Sequence, residues 1–220
     1  PNLLLRWLPV EHAMGYLVIL HLVGAVLAAY LWGHILGLGR LGCAVLALSY
    51  GLNGYVVGRT QFITMVAAYA WLPLLLALAE RVRQRRTLFD ALWLGSAMAL
   101  QFLAGHAQTW FYSGVLLASY AVYRLLHFAR RETPSSPTRA LTGKPALQTL
   151  GYLALAALIC LSLAAAQLLP TAELTFHSQR SRGADWEFAM AYSFWPWRLL
   201  TLVVPDLFGN PAAGTYFGYG

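Results

Sequence analysis

The amino-acid sequence predicts an all-α membrane protein: a polytopic bundle of about six transmembrane helices, followed by a segment on one membrane surface. Two observations carry that prediction. The first is composition. Of 220 residues, 59% are hydrophobic and 10% charged, against about 45–50% and about 25% in soluble domains; a soluble core of this size has no room for the surplus. The second is that apolar runs of membrane length recur along the chain, which reads as one bundle rather than as separate domains. Cys43 and Cys160 both sit inside such runs. They read as small buried hydrophobes, not as a disulfide or a metal pair.

A hydrocarbon core about 30 Å thick needs about 20 apolar residues. Six segments meet or approach that length: residues 13–35, 41–57, 62–79, 88–103, 110–126 and 147–169. The fourth and fifth are short and are expected to extend into their flanks. Pro73 is expected to kink the third, which a membrane helix tolerates. Trp7, Trp32, Tyr55, Trp71, Trp110 and Tyr112 fall near predicted ends of spans or turns, as interfacial aromatic residues do. Residues 1–170 then form the bundle. Residues 171–220 form an external segment whose Trp186, Trp195, Trp197 and mildly amphipathic run over 188–200 suit a membrane surface. A start at Pro1, the lack of a signal-peptide pattern and a polar stretch still open at Gly220 read as a fragment cut at both ends.

The basic residues predict sidedness. Successive connections alternate between sides. One side collects Arg40, Arg81, Arg83, Arg85, Arg86, Arg124, Arg130, Arg131, Arg139 and Lys144, ten of the fifteen Lys and Arg; the other collects Arg6, Arg59, Arg180, Arg182 and Arg198. The richer side is cytoplasmic by the positive-inside rule. The N-terminal residues, the turns at 54–61 and 105–109, and everything after Pro170 are then outside. The stretch 132–143, with Pro134, Ser135, Ser136 and Pro137, becomes a flexible cytoplasmic linker. The net charge of +7 is thus accounted for by topology and anionic membrane lipid, and nucleic acid is not an expected partner.

Few motifs stand out. Gly37-Leu-Gly39-Arg40-Leu-Gly42 matches G-x-G-x-x-G literally, but a dinucleotide site needs a preceding strand and an acid about 20 residues on; a tight helix–helix turn is expected. Gly54 and Gly58 form a small-residue pair for close packing. His21 lies inside the first span, where a histidine faces the bundle interior or a wet cavity: it bonds a neighbouring helix or lines a polar substrate cavity. Gln101 and Gln167 pose the same choice. The turn holding His106 and Gln108 either caps a helix or lines an external cleft. Gln167, Glu173, Arg180 and Arg182 bring an amide, a carboxylate and two guanidiniums to the end of the sixth span. Guanidinium binds phosphate through several planar donors, so this group is either an anionic head-group site or a set of solvated loop charges.

Short stretches spread over nearly the whole chain carry a resemblance. They are Pro1-Asn2-Leu3-Leu4, His21-Leu22-Val23-Gly24, Ser49-Tyr50-Gly51-Leu52-Asn53-Gly54, Trp71-Leu72-Pro73-Leu74, Ala104-Gly105-His106-Ala107-Gln108, Ala165-Ala166-Gln167-Leu168-Leu169-Pro170-Thr171-Ala172-Glu173 and Pro205-Asp206-Leu207-Phe208-Gly209. In order and spacing they resemble the YfhO-like family of bacterial membrane proteins, which looks like the multi-helix glycosyltransferases of the GT-C type. The resemblance implies a multi-pass protein of the bacterial cytoplasmic membrane. It would take a sugar from a polyprenyl-phosphate donor on the outer face and pass it to an envelope glycopolymer or lipid acceptor. Such enzymes place an essential Asp in the first external loop. The earliest Asp here is Asp90, expected on the cytoplasmic side, so the catalytic base is expected upstream of Pro1 and no residue inherits that role. Arg180, Arg182 and Arg59 lie on the side where a departing phosphate needs cations, and His106 and Glu173 are candidates for sugar or metal contact. No metal-ligand spacing is present, so a divalent metal is admitted without being called for. The alternatives are a transporter or lipid flippase, which would carry ionisable groups near mid-membrane and internal repeats, and a non-catalytic envelope assembly protein.

Overall fold

A computed structural model of the chain describes residues 9–132, 143–178, 183, 186, 190 and 196–217. The described residues are helical or in turns, with no strand among them. In chain order the α-helices are α1 (Val10–Ile35), α2 (Arg40–Gly51), α3 (Gly54–Val57), α4 (Ile63–Tyr69), α5 (Leu72–Arg85), α6 (Leu88–Leu103), α7 (Ala107–Glu132) and α8 (Lys144–Phe176). Two short 3-10 helices follow, Pro196–Leu202 and Pro211–Ala213.

Among the described residues, three stretches are long and apolar enough to cross a membrane: His12–Ile35, Ile63–Arg85 and Lys144–Phe176. Burial distinguishes them. In Ile63–Arg85, 61% of the most apolar window is buried, against 17% in each of the other two, so the α4–α5 stretch is central and α1 and α8 are peripheral. Leu27, Leu41, Leu158 and Leu169 are each 60% or more exposed. Apolar surface on that scale is not left open to water by a soluble monomer, which marks a membrane protein.

Several element boundaries differ from those the sequence predicts. The third span is interrupted at Ala70–Trp71, between α4 and α5, with Pro73 in the first turn of α5; both residues keep helical backbone angles and Ile63–Arg85 remains one membrane-length stretch, so the interruption is the kink expected at Pro73. Proline lacks an N–H to donate into a preceding turn but fits a helix start, where that donor would be idle. The second span breaks at Leu52–Asn53, where the Asn53 side chain accepts from the Val56 N–H at 3.0 Å and starts the single turn α3. The sixth helix does not close at Pro170 but runs on to Phe176 with Pro170 inside it; one lost backbone bond does not end a long apolar helix. The fourth span coincides with α6, and the fifth extends at both ends to form α7. The linker stretch 133–142 and most of the amphipathic run at 188–200 lie outside the described residues.

Residues 1–169 and 170–220 form two compact units. In the first, α1 and α2 pack antiparallel through the turn at Gly37, whose φ of 83° is a conformation that side chains disfavour. This is the G-x-G-x-x-G stretch, and it is a helix–helix turn. Leu75, Leu76, Leu78, Val82, Leu94 and Ala156 are buried in the core. Gly95 lets α6 and α8 cross closely: a Cβ there would sit 2.5 Å from the Ala156 carbonyl oxygen.

Candidate functional site

Two clusters of side-chain hydrogen bonds tie helices of the first unit together, one around Gln101 and Tyr69 and one around Glu80. Toward one end, the α4–α5 break exposes backbone groups that neighbouring helices satisfy. Gln101 of α6, 1% exposed, donates to the Ala68 carbonyl at 2.9 Å and to Ser113 Oγ of α7 at 2.7 Å. The Tyr50 hydroxyl donates to the Tyr69 carbonyl at 2.9 Å, and Asn53 donates to the Tyr69 hydroxyl at 2.9 Å. The rings of Tyr50 and Tyr69 stack with centroids 4.5 Å apart. Gln101 thus serves as an interhelical tie, the ordinary use of an amide in a membrane bundle.

Beside this cluster lies a cavity of about 210 Å³, bounded by His21 of α1, Thr64 of α4, Trp71, and Leu100 and Ala104 at the end of α6. The His21 Nδ1 lies 2.7 Å from the Leu17 carbonyl oxygen. A carbonyl only accepts, so Nδ1 carries the proton and Nε2 is the ring nitrogen left to meet an occupant. His21 therefore bonds its own helix rather than a neighbour while lining a cavity. The turn after α6 borders the same space, since a Cβ at Gly105 would lie 3.7 Å from the Thr64 methyl.

The other predicted residues are placed as follows. His106 caps α7: its Nδ1 accepts from the Thr109 N–H at 3.2 Å and lies 2.8 Å from Thr109 Oγ1. Gln108 is exposed and donates to the Tyr112 hydroxyl at 2.9 Å. The Arg59 guanidinium lies over the Tyr55 ring, 5.0 Å from its centroid, a cation–π contact. Gln167 and Glu173 are exposed on α8. Arg180 and Arg182 lie outside the described residues. Among the described residues no group of three or more His, Cys, Asp and Glu side chains could hold a metal ion.

Toward the opposite end, the structure assembles a constellation that residue spacing did not announce. Glu80, one residue beyond the predicted end of the third span, is fully buried. Its Oε1 accepts from Arg83 Nε and Nη2 at 3.1 and 2.6 Å, from Gln84 at 3.1 Å and from Arg124 Nη2 at 2.5 Å. Its Oε2 accepts from Arg124 Nε and the Tyr120 hydroxyl, both at 3.0 Å. Arg124 grips the carboxylate side-on with two parallel bonds, the strong form of this pairing. In the first turn of α6, Asp90 is also buried. It accepts from the Thr87 hydroxyl at 2.6 Å and sits 2.9 Å from Arg81 Nε, a pair too poorly aligned to count as a hydrogen bond. The only signal in the sequence was one Glu among four arginines at a span end, which reads equally well as loop charge.

The cavity at the Glu80 end measures about 10 Å³, enough for one water at most. It is too small for a substrate, whereas the cavity beside His21 measures about 210 Å³. Compared with protein-family models, with curated proteins and with solved structures, the chain matches none.

Proposed function

We propose that this chain is part of a bacterial membrane glycosyltransferase that moves a sugar from a polyprenyl-phosphate carrier to a cell-envelope acceptor on the outer face of the membrane. In this reading α2 together with α3, and α6 and α7, cross the bilayer alongside the three long apolar stretches, giving six spans of GT-C-like arrangement. The arginine-rich end is cytoplasmic, and the N-terminal residues and the His21 cavity are toward the outside. The observation that carries the reading is that cavity: about 210 Å³, mostly apolar, with an imidazole on its wall. A largely apolar pocket with a few placed polar groups is the usual form of a small-molecule site, and it suits the junction between an apolar carrier chain and its polar head. Arg180, Arg182 and Arg59 are the candidates for the donor phosphate, His106 and Glu173 for sugar or metal contact, and Gln108 and Gln167 for further contacts to the substrate.

The test is transfer of labelled sugar from a polyprenyl-phosphate donor by the full-length protein in lipid nanodiscs. Ala67 lines the cavity, so Ala67→Phe should fill it. The donor concentration for half-maximal rate should rise at least about tenfold, roughly 1.4 kcal/mol, with unchanged thermal unfolding. Unchanged donor dependence would remove the cavity from the reading, and absence of any transfer by the wild type would remove the enzyme.

The second reading, a transporter or lipid flippase, draws on Glu80, a fully buried carboxylate in the third span. Its six hydrogen bonds leave it little freedom to bind and release an ion. Movement of a fluorescent lipid between leaflets of reconstituted vesicles, without any transfer product, would favour that reading.

A further inference from the structure

In the second unit the 3-10 helix Pro196–Leu202 turns its polar residues inward and its apolar residues outward. Side chains three apart share a face of a 3-10 helix. One face carries Arg198 and Thr201, both half-buried, and the Thr201 hydroxyl donates to the Arg198 carbonyl at 2.6 Å. The other two faces carry Trp197 with Leu200 and Leu199 with Leu202, all exposed. The chain leaves the helix through Val203 and Val204, which are exposed too, and exposure peaks at this apex, at 81% for Leu202 and 82% for Val203. The backbone of the apex is satisfied from within. The Val203 and Val204 N–H groups both donate to the Leu200 carbonyl, at 3.0 and 2.9 Å, and the Leu207 N–H donates to the Val204 carbonyl at 3.1 Å. Pro205 has no N–H to satisfy.

We infer that residues 197–204 dip into the apolar boundary of the bilayer, in the leaflet reached by the Phe176 end of α8. A helix that faces water shows the opposite pattern, with its polar side out. An apex whose N–H groups are bonded within the chain is what lipid requires, since hydrocarbon offers no partner for an idle backbone group. The same unit holds the end of the membrane-length stretch Lys144–Phe176, where Leu174 and Phe176 are exposed, so lipid is the apolar phase at hand. The eight residues 197–204 are too few for a stable protein interface, which takes about 20–30 residues a side; lipid needs no partner of matching shape. Trp197 suits the headgroup level, where indole is favoured. Over residues 196–217 one Arg and one Asp cancel, so attachment draws on apolar contact and not on anionic lipid, unlike that of a basic surface helix. The apex lies just beyond the amphipathic run that the sequence predicts over 188–200.

The experiment uses the full chain in phosphatidylcholine nanodiscs. A fluorophore is attached at Val203→Cys and, in a second variant, at Ala212→Cys, an exposed position in the loop that follows. Native Cys43 and Cys160 are buried, so the label goes to the new thiol. Phosphatidylcholine brominated on its acyl chains is the quencher. Interfacial segments reach roughly 5–10 Å into the headgroup–acyl boundary, so the label at 203 should be quenched at least about threefold more than the label at 212. Adding phosphatidylglycerol to the discs should leave the quenching unchanged. Adding Leu202→Asp should cut the quenching at 203 by about half or more, because a carboxylate resists burial in hydrocarbon. Equal quenching at the two positions, quenching that needs anionic lipid, or no response to Leu202→Asp would each overturn the inference. Crosslinking of Val203→Cys between two copies, without quenching by brominated lipid, would overturn it in favour of a second copy as the cover. No sugar transfer is measured, so the outcome stands apart from the transferase reading.

Discussion

The two ends of the helix bundle in the first unit handle buried polarity in opposite ways. At the Glu80 end, one carboxylate from α5 is gripped by Arg124 and Tyr120 from α7 and by Arg83 of its own helix, and space is reduced to about 10 Å³. At the His21 end, neutral groups tie the helices together, Gln101 to Ser113 and Tyr50 to the Tyr69 carbonyl, and a cavity of about 210 Å³ remains. Buried charges need near-complete pairing, because an unmatched one costs far more than an unmatched neutral group. A charged cluster therefore closes around itself, whereas neutral bonds tolerate a gap beside them. At one end, then, polar groups close the packing completely, and at the other they leave open space.

The largest expected effect breaks the ionic end. Glu80→Ala leaves Arg124 and Arg83 without their shared carboxylate, and removing one partner from a buried pair costs about 3–5 kcal/mol. Thermal unfolding of the reconstituted protein should move down by many degrees, and a double-mutant cycle with Arg124→Gln should show strong coupling. A cycle that sums to zero would mean the two residues act independently and the closed-end account is wrong.

Smaller losses are expected at the neutral end. Gln101→Leu removes two interhelical bonds; side-chain bonds inside membrane bundles average about 0.6 kcal/mol and reach about 1.7. His106→Ala removes the α7 cap, typically about 1 kcal/mol. If His106 also serves a substrate, transfer activity should fall further than the loss of folded protein explains. Equal losses would leave it a cap and nothing more.

The smallest effect on stability should come from filling the cavity. Ala67→Leu adds apolar volume where there is room, so unfolding should shift by no more than about 0.5 kcal/mol, whereas the same change in a fully packed core costs about 1–3 kcal/mol. A large destabilisation would show that the cavity is not available space and would dissolve the contrast between the ends.

Much of the helical layout was legible. Leu88–Leu103 emerges with the boundaries that its apolar run predicts, because Thr87 caps its start through the Asp90 N–H and a glycine follows its end. The interruption near Pro73 was legible as a kink, but its partners were not. Only tertiary packing supplies the neighbours that satisfy the freed carbonyls, Gln101 at Ala68 and Tyr50 at Tyr69. Among the candidate residues, the sequence singled out His21 by its depth in an apolar run, and the structure sets it on a cavity wall. It also offered both a cap and a cleft for His106, and the short distance to Thr109 realises the cap.

By itself, then, the sequence determined that the chain is helical and made for a membrane, because composition and the length of apolar runs depend on solvent and not on which helix meets which. The position of Glu80 was in the sequence from the start, but its burial was not. Whether a carboxylate at a helix end faces water or a guanidinium depends on residues 40 or more positions away, Tyr120 and Arg124. Only tertiary packing brings those within 3 Å, and with them it decides which end of the bundle is closed and which keeps open space.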